Sequence, residues 1–301
     1  MPITDAAFAD LLDTRVHDPA RIAAALAVRR RRTTLAPDGV LFIVAADHPA
    51  RGALGVGGDR MAMADRRRLL DRLMLTLDHP RVDGVLGSAD VLEDLVVLGL
   101  LDDRVAVGTM NRGGIMGARW EIDDRMTAYD AEHIDDAHLD GGKVLLRLDD
   151  DDAGTAATLE ACSRAVTELA DRGLMAMVEP LPYRKDAEGR AVADHDVDRL
   201  VQAAGVASGL GSTSAYTWLK VPAGPGVERV MEASTCPSLI LGGPLGTDAA
   251  ATLASWERAL GHPHCRGLVI GRSLLYPADG DVAGTVAAAA DLVDAKAKAL
   301  R

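Results

Sequence analysis

The segment Ala215-Tyr216-Thr217-Trp218-Leu219-Lys220-Val221-Pro222 decides the fold. Strand-forming residues surround one lysine, Pro222 closes the run, and Gly224 and Gly226 open the loop beyond. A lysine in a buried strand carries a desolvation cost that packing alone does not offset. One that points into a closed barrel can lose its proton and become an amine nucleophile. The question is whether the rest of the chain builds such a barrel.

Seven further short runs rich in Val, Ile and Leu read as strands: Val40–Ala46, Gly84–Gly87, Val105–Thr109, Lys143–Leu148, Leu174–Glu179, Ser238–Leu241 and Gly267–Ile270, with Tyr216–Val221 as the eighth. Between them lie Ala- and Leu-rich segments, among them Asp65–Leu77, Thr155–Arg172, Val192–Ala204, Ala249–Leu260 and Thr285–Leu300. Their apolar residues recur at three- and four-residue spacing, the amphipathic helix pattern. Alternating βα units imply parallel strands with right-handed crossovers, and eight of them predict a single (β/α)8 TIM barrel, an α/β fold that typically takes ~250 residues. The alternative is an open doubly wound sheet. It is disfavoured because the first βα turn, Asp47-His48-Pro49-Ala50-Arg51-Gly52, lacks a dinucleotide fingerprint.

Residues 1–38 precede the first strand. Two helices are expected there, at Asp5–Leu12 and Pro19–Arg30, with Asp18 as N-cap ahead of Pro19. They predict an N-terminal helical cap over the lower mouth, in the same domain as the barrel of residues 39–301.

Composition narrows the function. A net charge of −12 argues against nucleic acid, which needs a basic face. The one basic run, Arg29-Arg30-Arg31-Arg32, reads as the solvated end of a helix. Cys162, Cys236 and Cys265 are far apart without metal-ligand spacing, as reduced cytosolic thiols would be. No apolar run reaches ~18 residues and the N-terminus lacks the regions of a signal peptide, so a soluble cytoplasmic protein without a membrane partner is expected.

In such barrels chemistry sits at the C-terminal ends of the strands, and strand parity selects the side chains that face inward. Strand one ends in Asp47, either a site carboxylate or an N-cap for the next helix. Strand four carries Lys143 and Arg147 on the face opposite Val144, Leu146 and Leu148, so the basic pair should point inward, for an anionic ligand or an internal ion network. Glu179 ends strand five, as a general acid/base or as the salt-bridge partner of Lys143 or Arg147. Tyr183 falls in the loop beyond, and His48 is a substrate contact or a structural loop residue. Gly242-Gly243-Pro244 and Gly271-Arg272-Ser273 follow the last two strands, the usual phosphate site of this architecture, with Arg272 adding a charge-assisted clamp.

Together these residues resemble the class I (Schiff-base) aldolases of the DeoC/LacD/FbaB group. The sequence is most similar to the actinobacterial aldolase-like proteins associated with inositol catabolism. The resemblance covers residues 39–276. It is carried by Asp47, Lys143 in Lys-Val-Leu-Leu, Glu179 in Val-Glu-Pro-Leu-Pro-Tyr, Lys220 in Trp-Leu-Lys-Val-Pro, and Gly271-Arg272-Ser273. The tagatose-bisphosphate branch has similar Lys-x-Leu-Leu, Leu-Glu-x-Leu, Leu-Lys-Val and Gly-Arg-Ala segments. The resemblance implies that Lys220 forms the imine, that Lys143 and Glu179 assist proton transfer and that Arg272 binds phosphate. It further implies a homo-oligomer, no cofactor and no metal. Its suggested substrate is 2-deoxy-5-keto-gluconate 6-phosphate, cleaved to dihydroxyacetone phosphate and malonate semialdehyde. The chain departs from the sugar-bisphosphate enzymes at Asp47-His48-Pro49, where they carry Asp-Gln or Asp-His-Gly, a departure that bears on the substrate and not on the chemistry.

Elementary chemistry agrees. Imine formation needs a neutral amine, whereas a free lysine titrates near ~10.4; burial beside the cations Lys143 and Arg147 would lower it. Two other readings compete: a phosphate-binding isomerase or epimerase with Glu179 and Asp47 as acid and base, and a non-catalytic sugar-phosphate-binding barrel.

Overall fold

Alternation along each strand sorts the side chains into two apolar shells. Odd-numbered Leu41, Ile43 and Ala45 of β1 (Leu41–Ala45) face one cluster, while Phe42 and Val44 face another. The computed structural model describes residues 2–242 and 249–301. Its remaining strands are β2 (Gly84–Gly87), β3 (Val105–Thr109), β4 (Gly141–Leu148), β5 (Met175–Lys185), β6 (Ala191–Ala193), β7 (Thr217–Pro222), β8 (Ser238–Leu241) and β9 (Cys265–Ile270). All but β6 pair in parallel in the order β4-β3-β2-β1-β9-β8-β7-β5, and the β4–β5 pairing closes the ring. The fold is a single (β/α)8 TIM barrel.

The inner shell joins Leu41, Ile43, Ala45, Leu86, Val105, Val107, Met175, Met177, Leu239 and Val269. The outer shell packs the other strand faces against α3 (Arg66–Leu77), α4 (Ala89–Val97), α5 (Ala131–Asp136), α6 (Gly154–Asp171), α7 (Val197–Ser208), α8 (Val227–Glu232), α9 (Ala249–Leu260) and α11 (Val282–Ala299), with the one-turn α10 (Arg272–Leu275) after β9. Asp65 caps α3 by accepting from the Arg68 N–H, and Asp196 caps α7 through the Asp198 and Arg199 N–H groups.

The N-terminal helices are α1 (Asp5–His17) and α2 (Ala20–Val28). Asp18 does not cap the second: that helix begins without a side-chain cap, and Asp18 instead terminates α1. The helices lie against α3 and α4, tied by the Ile3 N–H to Asp71 at 2.6 Å and by Arg15 to Glu93 and Asp94 at 2.8 Å. Leu35 and Ala36 pack on the inner cluster at the lower mouth.

The arginine run follows the end of α2, with Arg30 and Arg31 exposed, but its first member is not solvated. Arg29 is buried, donating to the Leu101, Arg104 and His138 carbonyls and pairing with Asp140 at 3.0 Å. Asp140 also accepts the Ala106 N–H, and Asp83 joins Arg32 at 2.7 Å to the Phe42 N–H at 2.7 Å. Each carboxylate thus locks a strand to the 29–32 segment. The segment read as the start of a helix at Val192 also differs. β5 runs on past Pro182 and turns back into the antiparallel β6, forming a hairpin above the barrel, and α7 starts only at Val197. Among the described residues no helix is long and apolar enough to cross a membrane.

Candidate active site

Parity carries Asp47, Lys143, Glu179 and Lys220 into the barrel. All four are buried, at 1%, 2%, 8% and 4% exposure. Register sets their heights. Val178 lies opposite Leu219, so Glu179 and Lys220 are level one residue further on, while Lys143 lies opposite Met177, one inward step deeper.

The charges form a chain. Lys220 Nζ donates to Glu179 Oε2 at 3.2 Å, and Lys143 Nζ meets the same oxygen at 2.5 Å. Lys143 also lies 3.6 Å from Asp47 Oδ2, which accepts from Thr109 Oγ1 at 3.2 Å and pairs with Arg112 Nη1 at 3.1 Å. Asp47 is therefore an interior ion partner and caps no helix. Three cations face two carboxylates, which leaves one positive charge in excess. Burial pushes the Lys143 ammonium down, Arg112 pushes it further, and Glu179 and Asp47 pull back only partly, leaving it at about 8. Burial would raise the Asp47 and Glu179 carboxyls. The cations outweigh it, Arg112 and Lys143 for Asp47 and the two lysines for Glu179, and both are held well below the usual carboxylate range.

Above this chain opens a cavity of about 570 Å³. Lys220, Glu179, His48, Gly242, Gly271 and Arg272 line it; Asp47 and Lys143 lie behind. Gly243 falls outside the described residues. Gly271 has to be glycine, because a Cβ there would collide with the His48 ring and come 2.6 Å from the Ala45 carbonyl. At Gly242 a Cβ would come 2.5 Å from Ser273 Oγ. Both glycines thus keep the mouth open where their two loops meet. The His48 ring stays neutral. Burial, then Arg272, Lys220 and Arg51, bring it down to about 3 against the pull of Asp47, whose Oδ1 lies 3.9 Å from His48 Nδ1, too far for a hydrogen bond.

Arg147 stands apart. Its buried guanidinium bonds the Glu121 and Gly114 carbonyls, pairs with Asp124 at 3.3 Å and stacks on Tyr183, whose ring centre is 5.6 Å away. It anchors the β3–α5 loop and does not line the cavity. The cation beside Lys143 is Arg112, which sequence reasoning missed. Its one signal was Asn111-Arg112-Gly113-Gly114 directly after a predicted strand, at the catalytic end. Tyr183 sits on the β5 extension and not in a loop; it lines the cavity together with the hairpin residues Asp186, Arg190 and His195. Among the described residues no three His, Cys, Asp or Glu side chains converge as a metal site.

Residues 39–290 match the Cgl0159-like family profile. The chain belongs to the Cgl0159-like family. The crystal structure of Cgl0159 from Corynebacterium glutamicum superposes with a TM-score of 0.94 at 49% identity, over 97% of this chain and 98% of that one. An archaeal fructose 1,6-bisphosphate aldolase is similar in fold, with a TM-score of 0.63 at 17% identity over 90% and 98% of the two chains. The fructose-bisphosphate aldolase of Slackia heliotrinireducens gives 0.61 at 13% identity over 94% and 91%. No curated protein matches the sequence. The family and the barrel are thereby fixed, and the aldolase likeness is one of fold.

Proposed function

We propose that this Cgl0159-like protein is a class I aldolase that cleaves a phosphorylated keto-sugar or keto-sugar acid through a Schiff base on Lys220. One observation carries the reading. Lys220 is the lysine lining the cavity, and Glu179 links its Nζ to the deeper Lys143 through a single oxygen. Nucleophile, proton acceptor and second proton donor are therefore in line. Lys143, brought down to about 8, is the member of the chain that can give up its proton and then take one from the nucleophile through Glu179, as attack by a neutral amine requires.

Lys220 adds to the substrate ketone to give a carbinolamine, and loss of water leaves the iminium. A base takes the proton of the hydroxyl two carbons away. The C–C bond breaks, its electrons pass into the iminium as an enamine, and an aldehyde leaves. Protonation of the enamine carbon and hydrolysis release the ketone product and restore Lys220. Glu179 and Lys143 hold and return the protons at Nζ. The iminium is the electron sink, so the sequence of steps calls for no metal. Gly242, Gly271 and Arg272 receive the phosphate. The neighbours of similar fold include a Schiff-base-forming fructose-1,6-bisphosphate aldolase, which supports the same chemistry here. The substrate that fits the sequence resemblance is 2-deoxy-5-keto-gluconate 6-phosphate. An Asp47/Glu179 isomerase is less well supported, because Asp47 lies behind Lys143 and outside the cavity.

The test is aldehyde release from a panel of keto-phosphates. Activity should persist in EDTA and disappear in Lys220→Arg, since a guanidinium does not deprotonate to attack a carbonyl. Arg272→Ala should weaken apparent substrate affinity by about 1.5–3 kcal/mol. Full activity in Lys220→Arg would overturn the reading.

A further inference from the structure

Arg51 was not among the residues that the sequence pointed to, yet it lines the same cavity as Arg272. It ends the short turn Pro49–Arg51 that follows Asp47 and His48, and Gly52, at φ 74°, closes that turn. The turn and the start of α10 are built against each other. His48 packs on Gly271 so closely that no Cβ fits between them, and Arg272 is the next residue. Arg272 Nη1 in turn reaches the Gly55 carbonyl at 3.4 Å, in the loop that carries Arg51. Two guanidiniums from opposite sides of one seam therefore enter one cavity.

Neither is well neutralised. Among the described residues Arg51 has only Glu121, at a loose 3.9 Å, and Glu121 stands at the same distance from Arg147 and accepts the Gly117 N–H at 2.7 Å. Among the described residues Arg272 has no carboxylate within ion-pair distance, and burial, then Arg51, depress its guanidinium. Two partly buried guanidiniums that repel each other call for a dianion between them. A tetrahedral phosphomonoester offers acceptors to both forks at once, whereas a carboxylate fills one fork.

We propose that Arg51 is the second jaw of an anion clamp with Arg272, and that the clamp selects a dianionic phosphomonoester over a carboxylate at this end of the substrate. This rests on the aldolase reading for the identity of the substrate but not for the site itself. The neutral His48 between the jaws adds no charge of its own and leaves the selection to the two arginines.

Calorimetric titration with inorganic phosphate, and with acetate as the carboxylate control at matched ionic strength, tests it without turnover. Phosphate should bind more tightly than acetate. Arg51→Met and Arg272→Met should each weaken phosphate roughly tenfold or more, with little effect on acetate. Arg51→Lys keeps the charge, loses the fork and should fall between wild type and Arg51→Met, which covers the case of a poorly folded methionine variant. Inorganic phosphate has no carbonyl and forms no imine, so failure of the aldolase reading leaves this result intact. Phosphate affinity unchanged in both Arg51 variants, or phosphate bound no better than acetate, would overturn the clamp.

Discussion

Replacing Glu179 by Gln removes the one carboxylate that touches both lysines while keeping side-chain volume. Its Oε2 lies 2.5 Å from Lys143 and 3.2 Å from Lys220, all within the barrel. In Glu179→Gln three buried cations would face Asp47 alone. Leaving a buried charge uncompensated costs about 3–5 kcal/mol. For a chain of this size that is a fall of roughly 5–8 °C in thermal midpoint, read at pH 7 by scanning calorimetry. The loss should shrink by pH 9, and the sign follows from Lys143. Its folded value, about 8, lies below the ordinary 10.5, so between these values the unfolded chain binds more protons. Stability therefore rises with pH across that window, by roughly 3 kcal/mol in all for this group. Once Lys143 is neutral, Glu179 has less charge to balance and its removal costs less. The double variant Lys143→Met/Glu179→Gln deletes both members of the pair and should be more stable at pH 7 than Glu179→Gln, with a coupling of roughly 0.5–3 kcal/mol. A Glu179→Gln protein as stable as wild type at pH 7, or a double variant less stable than the single, would refute the charge chain.

Other consequences follow from single positions. Gly271→Ala should displace His48 and narrow the mouth, lowering the thermal midpoint and weakening apparent affinity for keto-phosphates; an unchanged affinity would contradict the tight seam. Arg29→Met strips Asp140 of its buried partner and three carbonyls of a donor, and should cost about 3–5 kcal/mol by denaturation although it lies at the end of the barrel remote from the cavity.

Most of the barrel was legible in the chain because strand parity is a strong constraint. Val144, Leu146 and Leu148 had to face helices, and this placed Lys143 and Arg147 inside. Parity settles the face a side chain takes but not what it meets. Arg147 and Lys143 share a face, yet the first is spent on a loop and the second on the site carboxylates, because the β3–α5 loop folds over the upper end of β4. Arg112 was invisible for the same reason. It belongs to an irregular loop whose path is set by tertiary contacts such as the Asn111 side chain, which bonds the Leu145 backbone on both sides at 2.7 Å. The β5–β6 hairpin was hidden by Pro180 and Pro182, which usually end a strand, and by apolar Val192 and Ala193, which imitate the start of a helix. Arg29 shows the converse error: it looks as solvated as its neighbour Arg30 until Asp140, at a strand start, claims it, as Asp83 claims Arg32.

The most direct test of the account is borohydride reduction in the presence of a keto-phosphate substrate, followed by intact mass and peptide mapping. The account predicts one adduct of the reduced substrate on Lys220, none in Lys220→Arg, and no change with EDTA. An adduct on Lys143 that survives in Lys220→Arg, or turnover that EDTA abolishes without any adduct, would contradict it.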